Sequence, residues 1–214
     1  MCFQKVGNLK VMPSPDTDKL ICNFFNETIS DDKSIITAML GLKNYSEETY
    51  YHSLRVAMYA VYMANTLSVD RLLLTDLVKG ALVHDIGKLK VSYALLNYKG
   101  LYNLEQKKEI KLHPLYGIEY LKEHNFDITP NIRDIVLQHH EYCDGTGYPY
   151  GLGMKDLNEF SQIVTICDVF EAYTSRRIYH PHRSLKEGFD YLLYLSCNKK
   201  VNDKFTKVFI DNMI

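Results

Sequence analysis

Five histidines and three carboxylates occur along this chain at spacings that suit the binding of metal ions. Glu48 and His52 lie four residues apart, so a helix would place both side chains on one face. His84 is followed directly by Asp85. Neighbouring helical residues point about 100° apart, so this pair can flank one ion while the carboxylate bridges to a second. A mixed set of imidazoles and carboxylates favours iron, manganese or zinc over magnesium or calcium. The eight candidate ligands are Glu48, His52, His84, Asp85, His113, His139, His140 and Asp168.

Each candidate has a plainer interpretation when it is taken alone. A single histidine on a helix more often lies at the surface or is a hydrogen-bonded core residue, and Asp168 alone could be a buried hydrogen-bond acceptor. An isolated His-Asp dipeptide also arises easily by chance. The signal is the ordered set, which extends over about 120 residues with predicted helices between its members.

Apolar periodicity predicts the helices that must hold these side chains. His52, Val56, Tyr59 and Met63 fall at i, i+4, i+7 and i+11, which is one face of a helix. No succession of period-two segments indicates strands, so the prediction is an all-α fold. The predicted helices cover 18–29, 31–42, 46–67, 70–84, 104–123, 130–141, 159–174, 184–197 and 203–213.

Several candidate ligands are expected near helix ends. His84 comes at the end of the helix predicted over 70–84, and His139 with its neighbour lies near the end of another. His113 is expected to end a helix because Pro114 follows it.

Composition and charge restrict the class of protein. The chain has 214 residues, of which 46% are hydrophobic and 24% charged, as expected for a folded domain. We interpret 1–45 as an N-terminal extension, partly irregular and then helical, and 46–214 as one domain. A net charge of −1 argues against charge-driven binding to DNA or RNA. No apolar run approaches 18 residues, and the five cysteines are scattered along the chain. We therefore expect a cytoplasmic protein with reduced thiols and no membrane span.

Four segments carry a resemblance to a known family. They are HDIGK at 84–88, HPLYG at 113–117, HHEYCDGTGYPYGL at 139–152 and CDVFEAYTSRRIY at 167–179. Over roughly residues 45–195 the chain resembles the HD-GYP phosphodiesterases, a branch of the HD metal-dependent phosphohydrolases. The resemblance implies an HD-domain helical bundle with two or three divalent ions, most often iron or manganese, with zinc as an alternative.

The resemblance also implies which residues bind these ions. Asp85 would bridge two ions and act in catalysis. Glu48 stands where members with three ions have an additional carboxylate, although it could instead stabilise the start of its helix. The implied basic ligand set is His52, His84, Asp85 and Asp168, and the implied ligands of a second ion are His113, His139 and His140.

The implied reaction is the opening of cyclic di-GMP to pGpG, with GMP as the alternative final product, by a metal-activated hydroxide that attacks phosphorus. Lys88 would bind a phosphate oxygen and act in catalysis, with a solvated lysine as the alternative. Arg177 and His180 would also bind substrate, and the alternative for Arg177 is a surface charge. His180 replaces a usual Lys or Arg and Gln162 replaces a common Arg, so phosphate affinity and substrate choice can differ from the family's.

Two other functions remain open at this point. The chain could hydrolyse another cyclic dinucleotide or a nucleotide phosphate ester. It could also be a non-catalytic cyclic dinucleotide receptor or a partner-docking module, although family members of that kind usually lack ligands that are intact here.

The glycine-rich loop is the last feature that the resemblance addresses. In the family this loop is linked to partner recognition, including that of GGDEF-domain proteins. A conformational clamp on the metal-bearing helix is an equally good interpretation. The loop residues concerned are Gly145, Gly147, Tyr148 and Pro149.

Overall fold

The computed structural model describes residues 32–175 and 183–213, and in this part of the chain it is built of helices without a β-strand. The predicted all-α fold is therefore confirmed. A 3-10 helix over Ile86–Lys90 follows α3. The α-helices are α1 (Lys33–Tyr45), α2 (Glu47–Thr66), α3 (Arg71–Val83), α4 (Tyr93–Leu96), α5 (Leu104–Ile110), α6 (His113–Glu123), α7 (Pro130–Gln138), α8 (Glu159–Thr174), α9 (Leu185–Cys197) and α10 (Asp203–Met213).

Side-chain caps explain where the helices of the site begin. Ser46 accepts a hydrogen bond from the backbone N–H of Thr49 and so starts α2 at the predicted residue. The Asp70 side chain accepts from Leu72 N at the start of α3. These caps replace intrahelical bonds that the first N–H groups of a helix cannot make.

Helix α2 runs through the centre of the core and packs against α3 and α8. Val56 and Ala60 on this helix are fully buried. The rings of Tyr59, Phe170 and Phe209 meet with centroids 4.9–5.9 Å apart, and they join α2 to α8 and α10. This packing holds the helices that carry the candidate ligands in fixed positions relative to one another.

Three predictions near the site are wrong. The segment predicted as one helix over 104–123 forms α5 and α6, and His113 begins α6 instead of ending a helix. The reason is Pro114, which fits the first turn of a helix because its missing N–H would have no intrahelical partner there. Helix α7 ends at Gln138, three residues before the predicted end at 141.

The N-terminal part of the described chain shares the main core. Ile35 and Leu42 of α1 are fully buried in it, and Lys79 Nζ on α3 lies 2.5 Å from Asp32 Oδ2. The division of the chain at residue 45 stays a prediction. The helix predicted over 18–29 lies outside the described residues. None of the helices described is both long and apolar enough to cross a membrane.

Candidate metal centre

Three of the candidate histidines are oriented by backbone carbonyls of the preceding turn. In each ring Nδ1 lies within hydrogen-bond distance of a carbonyl oxygen three residues earlier. Because a carbonyl oxygen can only accept, Nδ1 carries the proton and a neutral ring presents an unprotonated Nε2. The distances are 2.7 Å from His84 to Ala81 O, 2.7 Å from His113 to Ile110 O and 3.0 Å from His139 to Val136 O.

The Nε2 atoms of these rings converge on Asp85. This carboxylate is buried, and its Oδ1 lies 3.2 Å from His113 Nε2 while its Oδ2 lies 3.5 Å from His84 Nε2. Among the described residues, two groups of side chains have ligand atoms within 4.8 Å of one another, and Asp85 belongs to both. One group consists of Asp85, His113, His139 and His140, and the other of His52, His84 and Asp85.

The donor atoms of this cluster fit a bound cation. The Nε2 atoms of His113 and His139 lie 3.2 Å apart, and neither can donate a hydrogen bond to the other when both rings carry their proton on Nδ1. Burial, together with the neighbouring His140 and His84, holds the pKa of His139 well below its usual value, so this ring stays neutral. Within 32–175 and 183–213, no group makes a hydrogen bond to the buried His84 Nε2 or Asp85 Oδ1. A cation would satisfy these unpaired atoms.

Two carboxylates hold His52 from opposite sides of its ring. Its Nε2 lies 3.0 Å from Asp168 Oδ1, and its Nδ1 forms a short hydrogen bond with Glu171 Oε2. Burial favours the neutral ring, but Glu171 and Asp168 outweigh it and raise the pKa of His52 to about 9, so an ion bound at Nε2 would displace a proton from this ring. Arg55 Nε donates to Glu171 Oε1 at 2.6 Å, and the Ser175 hydroxyl donates to the same oxygen.

His140 connects the cluster to the glycine-rich loop. Its ring stacks on Tyr148 with centroids 4.7 Å apart, and its Nδ1 lies 3.8 Å from Asp168 Oδ2. Burial and the nearby His113 lower the pKa of His140 to about 3, so this imidazole is neutral at pH 7. A cis peptide bond joins Tyr148 to Pro149.

Glu141 anchors the loop itself. This buried carboxylate accepts hydrogen bonds from the backbone N–H groups of residues 150–152, at 2.6, 3.0 and 3.1 Å. Gly147 passes so close to this anchor that a Cβ atom would lie 2.4 Å from Glu141 Cα. Gly145 has a φ of 77°, which favours glycine. These contacts fix the loop to Glu141, the residue that follows His140.

The remaining predicted site residues differ in their placement. Lys88 lies on the 3-10 helix, and its Nζ is 2.5 Å from Asp85 Oδ2. Glu48 is exposed in the first turn of α2 and belongs to neither of the two groups found among the described residues. Arg177 and His180 lie outside the described residues.

Sequence reasoning missed Glu171 and Arg55. Glu171 follows Asp168 by three residues on α8, and Arg55 follows His52 by three residues on α2. Residues three apart share a helix face, so this spacing was a usable signal for partners of the ligands. Their contact with each other joins two helices across 116 residues of chain, and spacing within one helix does not reveal it.

Comparisons with known proteins show which sequences and folds the chain is similar to. The model of the family described as HD domain matches residues 36–199. A cyclic di-GMP phosphodiesterase of Pseudomonas aeruginosa is 32% identical over 144 residues, which cover 67% of this chain and 34% of that protein. A cyclic di-GMP phosphodiesterase of Thermotoga maritima is 30% identical over 80% of this chain and 47% of its own length. A 3'3'-cGAMP-specific phosphodiesterase of Vibrio cholerae is 33% identical over 63% of this chain and 29% of its length. The chain thus spans less than half the length of these relatives.

Solved structures share the fold at lower sequence identity. An HDG"Y"P protein from Bdellovibrio bacteriovorus has a TM-score of 0.63 and 18% identity, over 98% of this chain and 67% of that chain. The HD domain of the L. monocytogenes phosphodiesterase PgpH, in complex with cyclic-di-AMP, also has a TM-score of 0.63. It is 21% identical over 83% of this chain and 93% of its own.

Proposed function

Because the chain belongs to the HD domain family, in its HD-GYP branch, we propose that it is a metal-dependent phosphodiesterase that hydrolyses cyclic di-GMP to pGpG, with GMP as the alternative final product. The observation that carries this proposal is the position of Asp85, which is shared by two groups of candidate ligands. Two ions held close together are an arrangement that many phosphate-hydrolysing enzymes use. The relatives named as cyclic dinucleotide phosphodiesterases support the class of substrate.

The ion-binding roles follow from the two groups. Asp85 with His113, His139 and His140 would hold one ion, and Asp85 with His52 and His84 would hold the other, with Asp168 next to both His52 and His140. Iron or manganese suits this set of nitrogen and oxygen donors, with zinc as the alternative. Glu48 remains a proposed ligand of a third ion. Bound ions would lower the pKa of a water molecule and neutralise charge on the phosphate.

The chain's own cations would position the phosphate. Lys88 keeps 22% of its side chain exposed while its Nζ contacts Asp85, so its ammonium lies beside the centre and within reach of a ligand from solvent. We assign it to a non-bridging phosphate oxygen, for which a compact cation is suited. Arg177 and His180 are proposed as further phosphate or base contacts.

A product analysis tests the proposal against its alternatives. The protein, loaded anaerobically with Fe(II) or Mn(II), is incubated with cyclic di-GMP, 3'3'-cGAMP and cyclic di-AMP, and the products are separated by chromatography. We expect cyclic di-GMP to be turned over fastest, and the product, pGpG or GMP, to show how far hydrolysis continues. Faster turnover of another substrate would assign the enzyme to that substrate. Binding of cyclic di-GMP without turnover by the loaded protein would instead identify a receptor.

We also propose that the glycine-rich loop takes part in binding a partner protein. Tyr150 next to it is 58% exposed and Met154 is 48% exposed, so side chains are available for contact with a GGDEF-domain protein. Replacing Tyr150 by Ala should weaken that binding if the role is correct. Unchanged binding would contradict the partner role and leave the loop with only the contacts that fix it to Glu141.

A further inference from the structure

A large cleft lies beside the candidate metal centre. It has a volume of about 770 Å³, which is within the usual range for sites that bind small molecules. His52 and Lys88 contribute to its lining, so the cleft is continuous with the centre. The rest of the lining comes from the junction of α1 and α2 and from the segment that contains α4 and α5. Four tyrosines line it, namely Tyr45, Tyr51, Tyr93 and Tyr102.

Tyr93 offers the cleft an accessible aromatic ring. It is 60% exposed and lies in the short helix α4, in which Leu95 is buried. The Tyr45 ring meets it nearly edge-on, at a centroid distance of 5.7 Å and an angle of 84°. The Tyr45 hydroxyl donates to Val91 O at 2.5 Å, which fixes the supporting ring. Exposed aromatic rings held in this way stack well on nucleobases.

Glu47 supplies a polar group that lines the same cleft. It is exposed, lies in the first turn of α2 and follows the supporting Tyr45 by two residues. A carboxylate is an acceptor only. The Watson–Crick edge of guanine presents two adjacent N–H donors, at N1 and N2, whereas adenine presents an acceptor at N1. A carboxylate therefore favours guanine over adenine.

We propose that this cleft is a nucleobase subsite in which Tyr93 stacks on a purine and Glu47 selects guanine. The inference rests on the proposed function, because it assumes that the phosphate joined to this base is bound at the metal centre. The positions of the lining residues agree with a nucleotide whose base lies in the cleft and whose phosphate lies at the metal centre. The aromatic and acidic residues line the cleft, and Lys88, which also lines it, contacts Asp85 of the centre.

Binding of GMP and AMP tests the subsite without any need for turnover. The two nucleotides share ribose and phosphate and differ only in the base, so the ratio of their dissociation constants reports on base recognition. Calorimetry on the Mn(II)-loaded protein should show GMP bound more tightly than AMP. Tyr93→Ala should raise the dissociation constant of GMP by about fivefold or more. Glu47→Gln should lower the preference for GMP over AMP by about fivefold or more.

Matched controls separate these effects from general changes to the surface. Tyr194 on α9 is 61% exposed and lies outside the cleft lining, so Tyr194→Ala removes an equally exposed ring. Glu159 is exposed in the first turn of α8, so Glu159→Gln removes a comparable helix-start charge. Both controls should bind GMP and AMP as the unmodified protein does.

The outcomes distinguish the subsite from the proposed function. If Tyr93→Ala binds GMP as tightly as the unmodified protein, the subsite is wrong even if cyclic di-GMP is hydrolysed. If Glu47→Gln keeps the full preference for GMP, the guanine assignment is wrong. If base recognition depends on both residues but no cyclic dinucleotide is hydrolysed, the subsite holds and the phosphodiesterase proposal fails.

Discussion

Glu171 holds His52 by its Nδ1 atom, on the side of the ring opposite to the candidate metal centre. This contact directs the Nε2 atom of His52 toward Asp85 and Asp168. Metal-binding histidines are commonly oriented by a carboxylate in this way, which fixes the ring and increases the basicity of the ligand nitrogen. Arg55 donates to the same carboxylate and so limits its movement.

The first prediction concerns this orienting carboxylate. Glu171→Gln should reduce the affinity for the ion bound by His52 about 10- to 100-fold, because the amide holds the ring less firmly and carries no charge. Glu171→Asp should recover part of the loss. Metal titration with a competing chelator measures the effect, and Glu159→Gln on the same helix is the control. Unchanged affinity in a folded Glu171→Gln protein would show that Glu171 only supports packing.

The second prediction concerns the pH dependence of stability. The hydrogen bond from Lys200, together with those from Thr146, lowers the pKa of Asp144 to about 2 from 3.8. A carboxyl group with a lowered pKa in the folded state stabilises the fold above its unfolded pKa, and this contribution is lost as pH falls from about 4 toward 2. Because the pair is partly exposed, we expect only about 0.5–1 kcal/mol at pH 7.

Denaturant unfolding of Asp144→Asn at several pH values measures this contribution. The difference in unfolding free energy from the unmodified protein should be largest near pH 6–7 and should shrink as pH falls below about 4. Added salt should also reduce it, since the pair is partly exposed. A difference that stays constant from pH 7 to pH 3 would contradict the assignment.

The third prediction concerns Gln162, which stands where the family commonly has Arg, and the side chain that contacts it. Asn202 Nδ2 donates to Gln162 Oε1 at 2.7 Å, and Gln162 Nε2 donates to Leu157 O at 3.0 Å. Both side chains are buried, so the missing arginine is replaced by an internal amide pair.

A double-mutant cycle tests whether Gln162 and Asn202 are coupled. Asn202→Ala should destabilise the fold by about 1–3 kcal/mol, because it leaves the buried Gln162 oxygen without this donor. In a Gln162→Leu background, Asn202→Ala should lower the free energy of unfolding by about 1 kcal/mol less than it does in the unmodified protein. Additive losses in unfolding free energy would show that the two positions are independent.

Local rules and motif order account for much of the fold and the candidate site. The helix start at Ser46 follows from its capping chemistry, and the positions of His84 and His139 near helix ends follow from apolar periodicity. His113 was assigned to the wrong end of a helix, because Pro114 suits both the residue after a helix and its first turn. The pairing of Glu171 with His52 joins residues 119 apart, and it depends on helix packing that the sequence pattern does not specify.

The most direct test is the metal content of the protein and of Asp85→Asn. After anaerobic loading with Mn(II) and removal of free metal, the unmodified protein should retain at least two ions per chain. Their paramagnetic resonance spectrum should show two coupled ions, because one carboxylate would hold both. Asp85→Asn should retain at most one ion, lose the coupled signal and hydrolyse cyclic di-GMP at least about 100-fold more slowly. A single isolated ion in the unmodified protein, or a coupled pair that survives in Asp85→Asn, would contradict the account.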